Sequence, residues 1–296
     1  MRLLVTGRDG QVAQALLALS KGDVEVVALG RPALDITDRA SIARAIAEHR
    51  PDVVVNAAAY TAVDKAESEE DAAFAVNATG AGNVAAAAAD AGLPVIHIST
   101  DYVFAGDKAE PYRESDPTGP QGAYGHSKLE GERQVAAANP NHAILRTAWV
   151  YGPYGANFLK TMLRLSETRD EVRVVADQRG TPTYAPDIAE GILAVARALK
   201  QTPDAADKRG VFHMVSEGET TWAGFAEAVF TELAASGGKS VRVVPITTAD
   251  YPTPAKRPAN SRLDTSRFRQ AFDHALPNWT SGVSRCMAAL AETKTP

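Results

Sequence analysis

Cysteine and histidine are scarce in this chain of 296 residues. There is one cysteine, Cys286, and the six histidines are scattered without the spacing of metal ligands. A single thiol excludes an internal disulfide, and we expect no metal site. No apolar run approaches the roughly 20 residues of a membrane span, and the apolar run at the start is too short for a signal peptide. These absences predict a cytoplasmic protein with no membrane partner.

Long basic runs are also lacking, and the net charge is −5. This balance argues against nucleic acid or an anionic membrane as the main partner and favours a small ligand. Hydrophobic residues make up 45% of the chain, an ordinary share for a globular protein. The length predicts one large domain or two interlocked ones.

Short apolar runs alternate with helix-like segments in the first half of the chain. The predicted strands are residues 2–6, 24–29, 52–56, 94–99 and 143–147, and the predicted helices are residues 11–20, 39–49, 68–91 and 127–138. Strict alternation predicts an α/β fold, a doubly wound, Rossmann-like parallel sheet with helices on both faces. After about residue 152 the pattern loosens, and a loop with three prolines spans residues 249–262. Loops of that length are often functional.

A glycine turn follows the first predicted strand. Gly7, Gly10 and Ala13 stand three residues apart, with Gln11 and Val12 at the start of the next helix. The first glycine permits a tight turn, the second lets the backbone approach a pyrophosphate, and the third position needs only a small residue. The position after a first strand favours a dinucleotide site over a plain strand-to-helix turn. We therefore expect Gly7, Gly10, Gln11 and Val12 to bind a cofactor.

The choice of cofactor depends on a position about 20 residues further on, where NAD-binding folds carry an acid for the ribose 2′-hydroxyl. Gly30 and Arg31 stand there. No carboxylate repels a 2′-phosphate, and the planar guanidinium of Arg31 can grip one, so we expect NADPH, with NADH as an alternative. Arg31 can equally be a solvated surface residue. Asp35 and Ile36 are predicted to border the adenine, although the same segment also reads as a helix cap.

We expect residues 1–152 to form the dinucleotide-binding domain, with return segments near 172–197 and 211–215. Residues 153–296 are expected to form mainly a smaller, interleaved substrate domain.

Tyr124 and Lys128 are four residues apart at the start of a predicted helix, so both side chains can point into one pocket. Alone, the pair also reads as a tyrosine packed on a lysine stem at the surface. A cation about 4 Å from a phenol contributes about 1 kcal/mol in bulk water but about 4 kcal/mol at an effective dielectric constant of 20. The pair can act in catalysis only inside a sheltered cleft.

A family resemblance is carried by six segments. They are TGRDGQVA (6–13), NAAAYTAVDKAE (56–67), STDYVF (99–104), YGHSK (124–128), RTAWVYG (146–152) and SRLD (261–264). In this order they resemble the extended short-chain dehydrogenases and, within them, the dTDP-4-dehydrorhamnose reductase family, over nearly the full length. The resemblance implies an oxidoreductase of dTDP-rhamnose biosynthesis. Its substrate would be a dTDP-sugar, whose C4 ketone is reduced with hydride from NADPH or NADH.

The resemblance also implies roles for individual residues. Tyr124 would donate the proton that the alkoxide at C4 needs, Lys128 would assist it and hold the nicotinamide ribose, and Thr100 would hydrogen-bond the ketone oxygen. Helix capping is the other interpretation of Thr100. The remaining implied contacts to cofactor are Ala57, Ala58, Ala59, Tyr60 and Thr61, and those to substrate are Val63, Lys65, Asp101 and Trp149. Each of these can also be explained by packing or capping alone.

Several interpretations stay open. Asn77 either relays a proton or packs, and Arg179, Arg257 and Arg262 are candidate clamps for a diphosphate. Ala15 replaces a glutamate with which some relatives build a magnesium-bridged dimer, so a homodimer stays open but a metal-assisted one is doubtful. Alternative functions are another nucleotide-sugar reductase, an epimerase, a 4,6-dehydratase or a non-catalytic regulatory subunit. The last would typically lose the tyrosine or the lysine, and a dehydratase would want a glutamate where Tyr102 stands.

Overall fold

The structure, a computed structural model, describes residues 1–202 and 205–292. The strands are β1 (Arg2–Thr6), β2 (Glu25–Leu29), β3 (Val53–Asn56), β4 (Val95–Thr100), β5 (His142–Thr147), β6 (Val150–Tyr151), β7 (Glu171–Val175), β8 (Arg179–Gly180), β9 (Thr183–Tyr184), β10 (Gly210–His213), β11 (Thr220–Thr221) and β12 (Arg242–Ile246). The α-helices are α1 (Gln11–Ala18), α2 (Arg39–His49), α3 (Val63–Ala66), α4 (Glu70–Phe74), α5 (Ala81–Asp90), α6 (Ala123–Ala138), α7 (Phe158–Ser166), α8 (Ala185–Gln201), α9 (Trp222–Ala235), α10 (Ser266–Phe272) and α11 (Trp279–Glu292). No helix among the described residues is both long and apolar enough to cross a membrane.

Parallel strands form a central sheet of six, in the order β2-β1-β3-β4-β5-β10. The order reverses between β1 and β3, and ligands of doubly wound folds bind at the carboxyl ends of the strands beside such a reversal. The predicted doubly wound fold is confirmed. Its geometry places the glycine turn after β1 next to the loop after β3.

Side chains of the central strands are buried alternately on the two faces. Leu3 and Val5 pack in an apolar cluster with α1 and α8, whereas Leu4 packs in a second cluster with α2, α5 and α6. Burial on both faces explains why these strands read as continuous apolar runs. Ala15 of α1 is 1% exposed within the first cluster, so this position offers neither a metal ligand nor a surface for a partner.

Helix α1 ends at Ala18, two residues before its predicted end, and two other predicted helices differ more from their bounds. The segment 68–91 is divided into α4, a π-helical turn (Ala75–Gly80) and α5. The turn contains Asn77, whose side chain hydrogen-bonds outside its own helix. Helix α6 begins at Ala123, because the Ala123 N–H donates to Glu67 Oε1 at 3.0 Å. Tyr124 and Lys128 therefore lie in the first two turns of one helix.

The smaller region is built on β7 and β12, which pair in parallel, and on α7, α9 and α11. Strand β7 lies outside the central sheet, whereas α8 packs on α1 and β10 lies beside β5. Within the segment 172–197, β9 pairs with β6, and α8 packs on the first half of the chain.

The proline-containing loop returns to the first half of the chain. The Asn260 N–H donates to the Gly106 carbonyl at 2.9 Å, and the Ala255 N–H donates to Asp64 Oδ1 at 3.2 Å. The same loop accepts a hydrogen bond from the Arg179 N–H. It therefore forms one wall of the space between the two regions.

Candidate active site

Thr100 and Asp101 lie at the carboxyl end of β4, beside the start of α6. The Thr100 hydroxyl donates to Asp101 Oδ1 at 3.0 Å and accepts the Tyr102 N–H at 3.2 Å, and the Tyr124 phenol lies near it. Thr100 thus caps the short 3₁₀ turn that follows β4. The capping interpretation is confirmed, and the catalytic role of Thr100 stays a prediction.

Tyr124 is half-buried, with its ring edge-on to that of Tyr102 at a centroid distance of 5.4 Å. Burial and the Asp101 carboxylate raise the pKa of Tyr124 above its ordinary value. A raised pKa keeps the proton on the phenol at neutral pH.

Lys128 is 2% exposed, and its Nζ donates to the Ile98 carbonyl at 2.7 Å. Burial lowers the pKa of Lys128 to about 8, and the Glu132 carboxylate one turn further on opposes the shift. Glu132 is itself buried, where it binds Arg146 and accepts the Ser99 hydroxyl. The Lys128 amine is therefore sheltered from water.

Gly7 and Gly10 shape the turn between β1 and α1. Gly7 has φ +80°, and a Cβ at this position would lie 2.8 Å from Ala58 Cα. Helix α1 begins at Gln11 without a side-chain cap and without an acid in its first turn. Its N–H groups and the positive end of its dipole suit a phosphate. Val12 is buried under the turn, and Gln11 binds Asn157 across the two regions at 2.9 Å.

Gly30 and Arg31 follow β2 and lie beside the glycine turn. A Cβ at Gly30 would lie 3.5 Å from the Arg8 backbone nitrogen. Arg8 and Arg31 are both exposed, and Arg8 binds Asp9 at 3.1 Å. The prediction had missed Arg8, although a basic residue inside a glycine turn is a visible signal.

The predicted contacts to the adenine, Asp35 and Ile36, are one polar and one apolar residue. Hydrogen bonds from Thr37, aided by the charge of Arg31, lower the pKa of Asp35. Ile36 is buried against Gly80, where a Cβ would meet its Cδ1 at 2.8 Å.

The loop after β3 is held by Asn77. Asn77 accepts the Tyr60 N–H at 2.8 Å and donates to the Tyr60 carbonyl and to Ser127, each at 3.0 Å. These bonds tie the loop to α6. Ala57, Ala58 and Ala59 are half-buried, and Thr61 is exposed.

An open cleft of about 840 Å³ lies between the two regions and includes Val63, Tyr102, Trp222 and Arg257 in its wall. Trp149 stacks on Trp222 at a centroid distance of 3.7 Å. Lys65 is exposed on α3. Arg257 was among the predicted candidates for a diphosphate, whereas the place of Tyr102 and Trp222 in this wall was not predicted, because these residues come together only through the fold.

The three arginines do not form one group. Arg179 and Arg262 share the Glu219 carboxylate, and Arg262 is also bonded to the Ala109 carbonyl. Only Arg257 lines the cleft, where it binds Asp64 Oδ2 at 2.7 Å. The predicted cluster of three is therefore wrong, and one arginine is left as a candidate for a diphosphate.

Known proteins resemble the whole chain. A family model described as RmlD substrate binding domain matches residues 1–292. The dTDP-4-dehydrorhamnose reductase of Sinorhizobium fredii is 53% identical over 290 residues, which cover 98% of each chain. That of Escherichia coli K12 is 41% identical over 301 residues, 99% of each chain.

Solved structures agree with this. A dTDP-4-dehydrorhamnose reductase of Clostridium acetobutylicum aligns with a TM-score of 0.89 and 41% identity, over 98% of this chain and 100% of that one. One from Bacillus anthracis, in complex with NADP, aligns with a TM-score of 0.88 and 36% identity, over 97% and 99% of the two chains.

Proposed function

The chain belongs to the dTDP-4-dehydrorhamnose reductase family, and we propose that it reduces the C4 ketone of dTDP-4-dehydro-L-rhamnose to dTDP-L-rhamnose with NADPH as the preferred cofactor. The observation that carries the proposal is the position of Thr100 at the carboxyl end of β4 and of Tyr124 and Lys128 in the first two turns of α6, with the Lys128 amine bonded to β4 at the Ile98 carbonyl. When bound, the reduced nicotinamide supplies the hydride for the ketone carbon.

The Tyr124 phenol is the proton donor. Because burial and Asp101 raise its pKa, it carries its proton at neutral pH. It can give that proton to the C4 oxygen as negative charge develops there. Thr100, at the end of β4 and near the phenol, would offer its hydroxyl to the same oxygen.

The cofactor fits the residues around the glycine turn. Gly7 and Gly10 and the uncapped start of α1 would hold the pyrophosphate, and the loop of Ala57, Ala58 and Ala59 would lie along the cofactor. Arg8 and Arg31 bring two exposed guanidinium groups to the place of a 2′-phosphate. This pair supports the preference for NADPH.

The cleft suits a nucleotide sugar. Its volume of about 840 Å³ is in the range of ligand pockets. Arg257 in its wall would bind a diphosphate, and the stacked pair of Trp149 and Trp222 gives a rigid apolar wall near the sugar. Val63, Lys65 and Asp101 are the remaining proposed contacts to the substrate.

The experiment supplies the ketosugar, made enzymatically from dTDP-glucose, and follows NADPH absorbance. We expect consumption of NADPH that depends on the ketosugar, with a larger kcat/KM for NADPH than for NADH. A matched reaction with dTDP-glucose, which lacks the ketone, is expected to consume no NADPH. A chain that binds NADPH but consumes none with the ketosugar would be a regulatory subunit, and the proposal would be wrong.

A further inference from the structure

A chain of buried polar side chains crosses the central sheet beneath the proposed site. Thr6, Asn56 and His97 occupy facing positions on β1, β3 and β4. Their exposed fractions are 0%, 1% and 0%. This hydrogen-bonded series starts at the Ala58 N–H, in the loop after β3, and ends at the Lys128 amine. It therefore connects the proposed cofactor loop to a proposed catalytic residue.

The direction of the hydrogen bonds follows from the atoms and distances. The Ala58 N–H can only donate, and it does so to Thr6 Oγ1 at 3.2 Å. The Thr6 hydroxyl lies 2.6 Å from Asn56 Oδ1, a length typical of an O–H···O bond in which the hydroxyl donates. If the Asn56 amide were reversed, the buried Thr6 hydroxyl would lose its acceptor. The Asn56 nitrogen therefore faces His97 Nδ1, at 3.0 Å.

This direction sets the tautomer of His97. Because Asn56 donates to Nδ1, a neutral imidazole carries its one proton on Nε2. Nε2 lies 3.5 Å from Lys128 Nζ, beyond the usual range of a hydrogen bond. An ammonium is a donor only, so a charged Lys128 and the Nε2–H cannot bond to each other, whereas an uncharged amine can accept that proton.

We propose that His97 is a positioning residue for Lys128, held by Thr6 and Asn56 with its Nε2–H toward the amine, so that it favours the uncharged form of Lys128. The proposal rests on the reductase function above, because the catalytic role of Lys128 belongs to that function. His97 itself lies outside the proposed ligand contacts. Lys128 would thus release its proton closer to neutral pH than a surface lysine does.

Other charged groups near the pair act in known directions. Burial keeps the pKa of His97 well below its ordinary value, and Lys128 and His142 act in the same direction. Glu132 raises the pKa of Lys128, but its carboxylate is held by two bonds from Arg146, at 2.9 and 2.7 Å. In the proposal, the direction of the His97 Nε2–H acts on Lys128 in addition to burial.

The test reverses the direction in which the hydrogen bonds between Asn56, His97 and Lys128 are donated. In Asn56→Asp the carboxylate can only accept, so His97 Nδ1 must donate and Nε2 must accept from the Lys128 ammonium. NMR of the cofactor-free protein, with labelled histidine and lysine, measures which ring nitrogen of His97 is protonated and how the Lys128 Cε resonance changes with pH. We expect an Nε2–H tautomer in the wild type, an Nδ1–H tautomer in the variant, and a rise of about one pH unit in the titration of Lys128.

Two controls separate the imidazole from other effects. Asn56→Asp combined with His97→Leu keeps the added charge without the ring, and the rise is expected to shrink. His213→Gln replaces another fully buried histidine, on β10, whose Nδ1 contacts the Tyr112 carbonyl, and the Lys128 titration is expected to stay unchanged.

An Nδ1–H tautomer in the wild type overturns the proposal, as does an unchanged Lys128 titration in folded Asn56→Asp. If Asn56→Asp does not fold, the same two NMR signals are measured in Thr6→Val. This substitution removes the hydroxyl that fixes the Asn56 amide, so the amide is free to reverse. Neither NMR signal needs substrate. If the protein shows the expected His97 tautomer but does not turn over the ketosugar, the proposed function is contradicted and the tautomer assignment still holds.

Discussion

Removing one partner of the buried ion pair between Glu132 of α6 and Arg146 of β5 should destabilise the protein strongly. Arg146 donates two hydrogen bonds to the Glu132 carboxylate, at 2.9 and 2.7 Å, and both side chains are 5% exposed. In Glu132→Gln the guanidinium stays buried without its counter-charge. The expected loss of unfolding free energy is about 3–5 kcal/mol.

Arg39 and Asp90 provide a matched control. Their ion pair is as short, 2.6 Å, but the side chains are 53% and 68% exposed. Asp90→Asn should therefore cost no more than about 1 kcal/mol. Urea unfolding followed by circular dichroism measures both variants. Equal losses for Glu132→Gln and Asp90→Asn would refute the argument that burial makes the first pair matter.

Three further predictions concern the cofactor turn and the site. Arg31→Ala is expected to raise KM for NADPH about tenfold, with little change for NADH, since a paired charged hydrogen bond contributes about 1.5–3 kcal/mol; equal changes for both cofactors would contradict it. Gly7→Ala should weaken NADPH binding measured by fluorescence, because φ is +80° and the new Cβ would approach Ala58 Cα to 2.8 Å; unaltered affinity would show that the turn is not the binding site. Burial raises the pKa of Asp101 to about 6 from 3.8, so stability is lost as pH rises through that interval. Asp101→Asn should therefore raise Tm at about pH 8 but not at about pH 3, and a rise of equal size at both would contradict the sign.

The sheet was predictable because its strands are buried on both faces, which leaves a run of apolar residues in the sequence. The glycine turn was also predictable, because its geometry depends on residues that are adjacent in the sequence. The π-helical turn at Asn77 was not, because it is stabilised by contacts to Tyr60 and Ser127, which are distant in the sequence.

Charged side chains were the hardest to predict. Three arginines suggested one anion clamp, but two of them are neutralised by Glu219, a residue that no local pattern connects to them. The Lys128 amine bonds the Ile98 carbonyl, a partner that the spacing of Tyr124 and Lys128 did not predict. The spacing of two residues on a helix places both on one face but does not fix where a long side chain ends.

The central claim is that Tyr124 protonates the C4 oxygen in a ketosugar reductase. The most direct measurement is the single-turnover rate of NADPH oxidation by Tyr124→Phe with the ketosugar at saturation, compared with Tyr151→Phe, which removes a buried hydroxyl from β6. We predict that Tyr124→Phe binds NADPH normally but is slower by about 10²–10⁴-fold, the usual contribution of a general acid, whereas Tyr151→Phe keeps the wild-type rate. A Tyr124→Phe rate equal to that of the wild type would contradict the account.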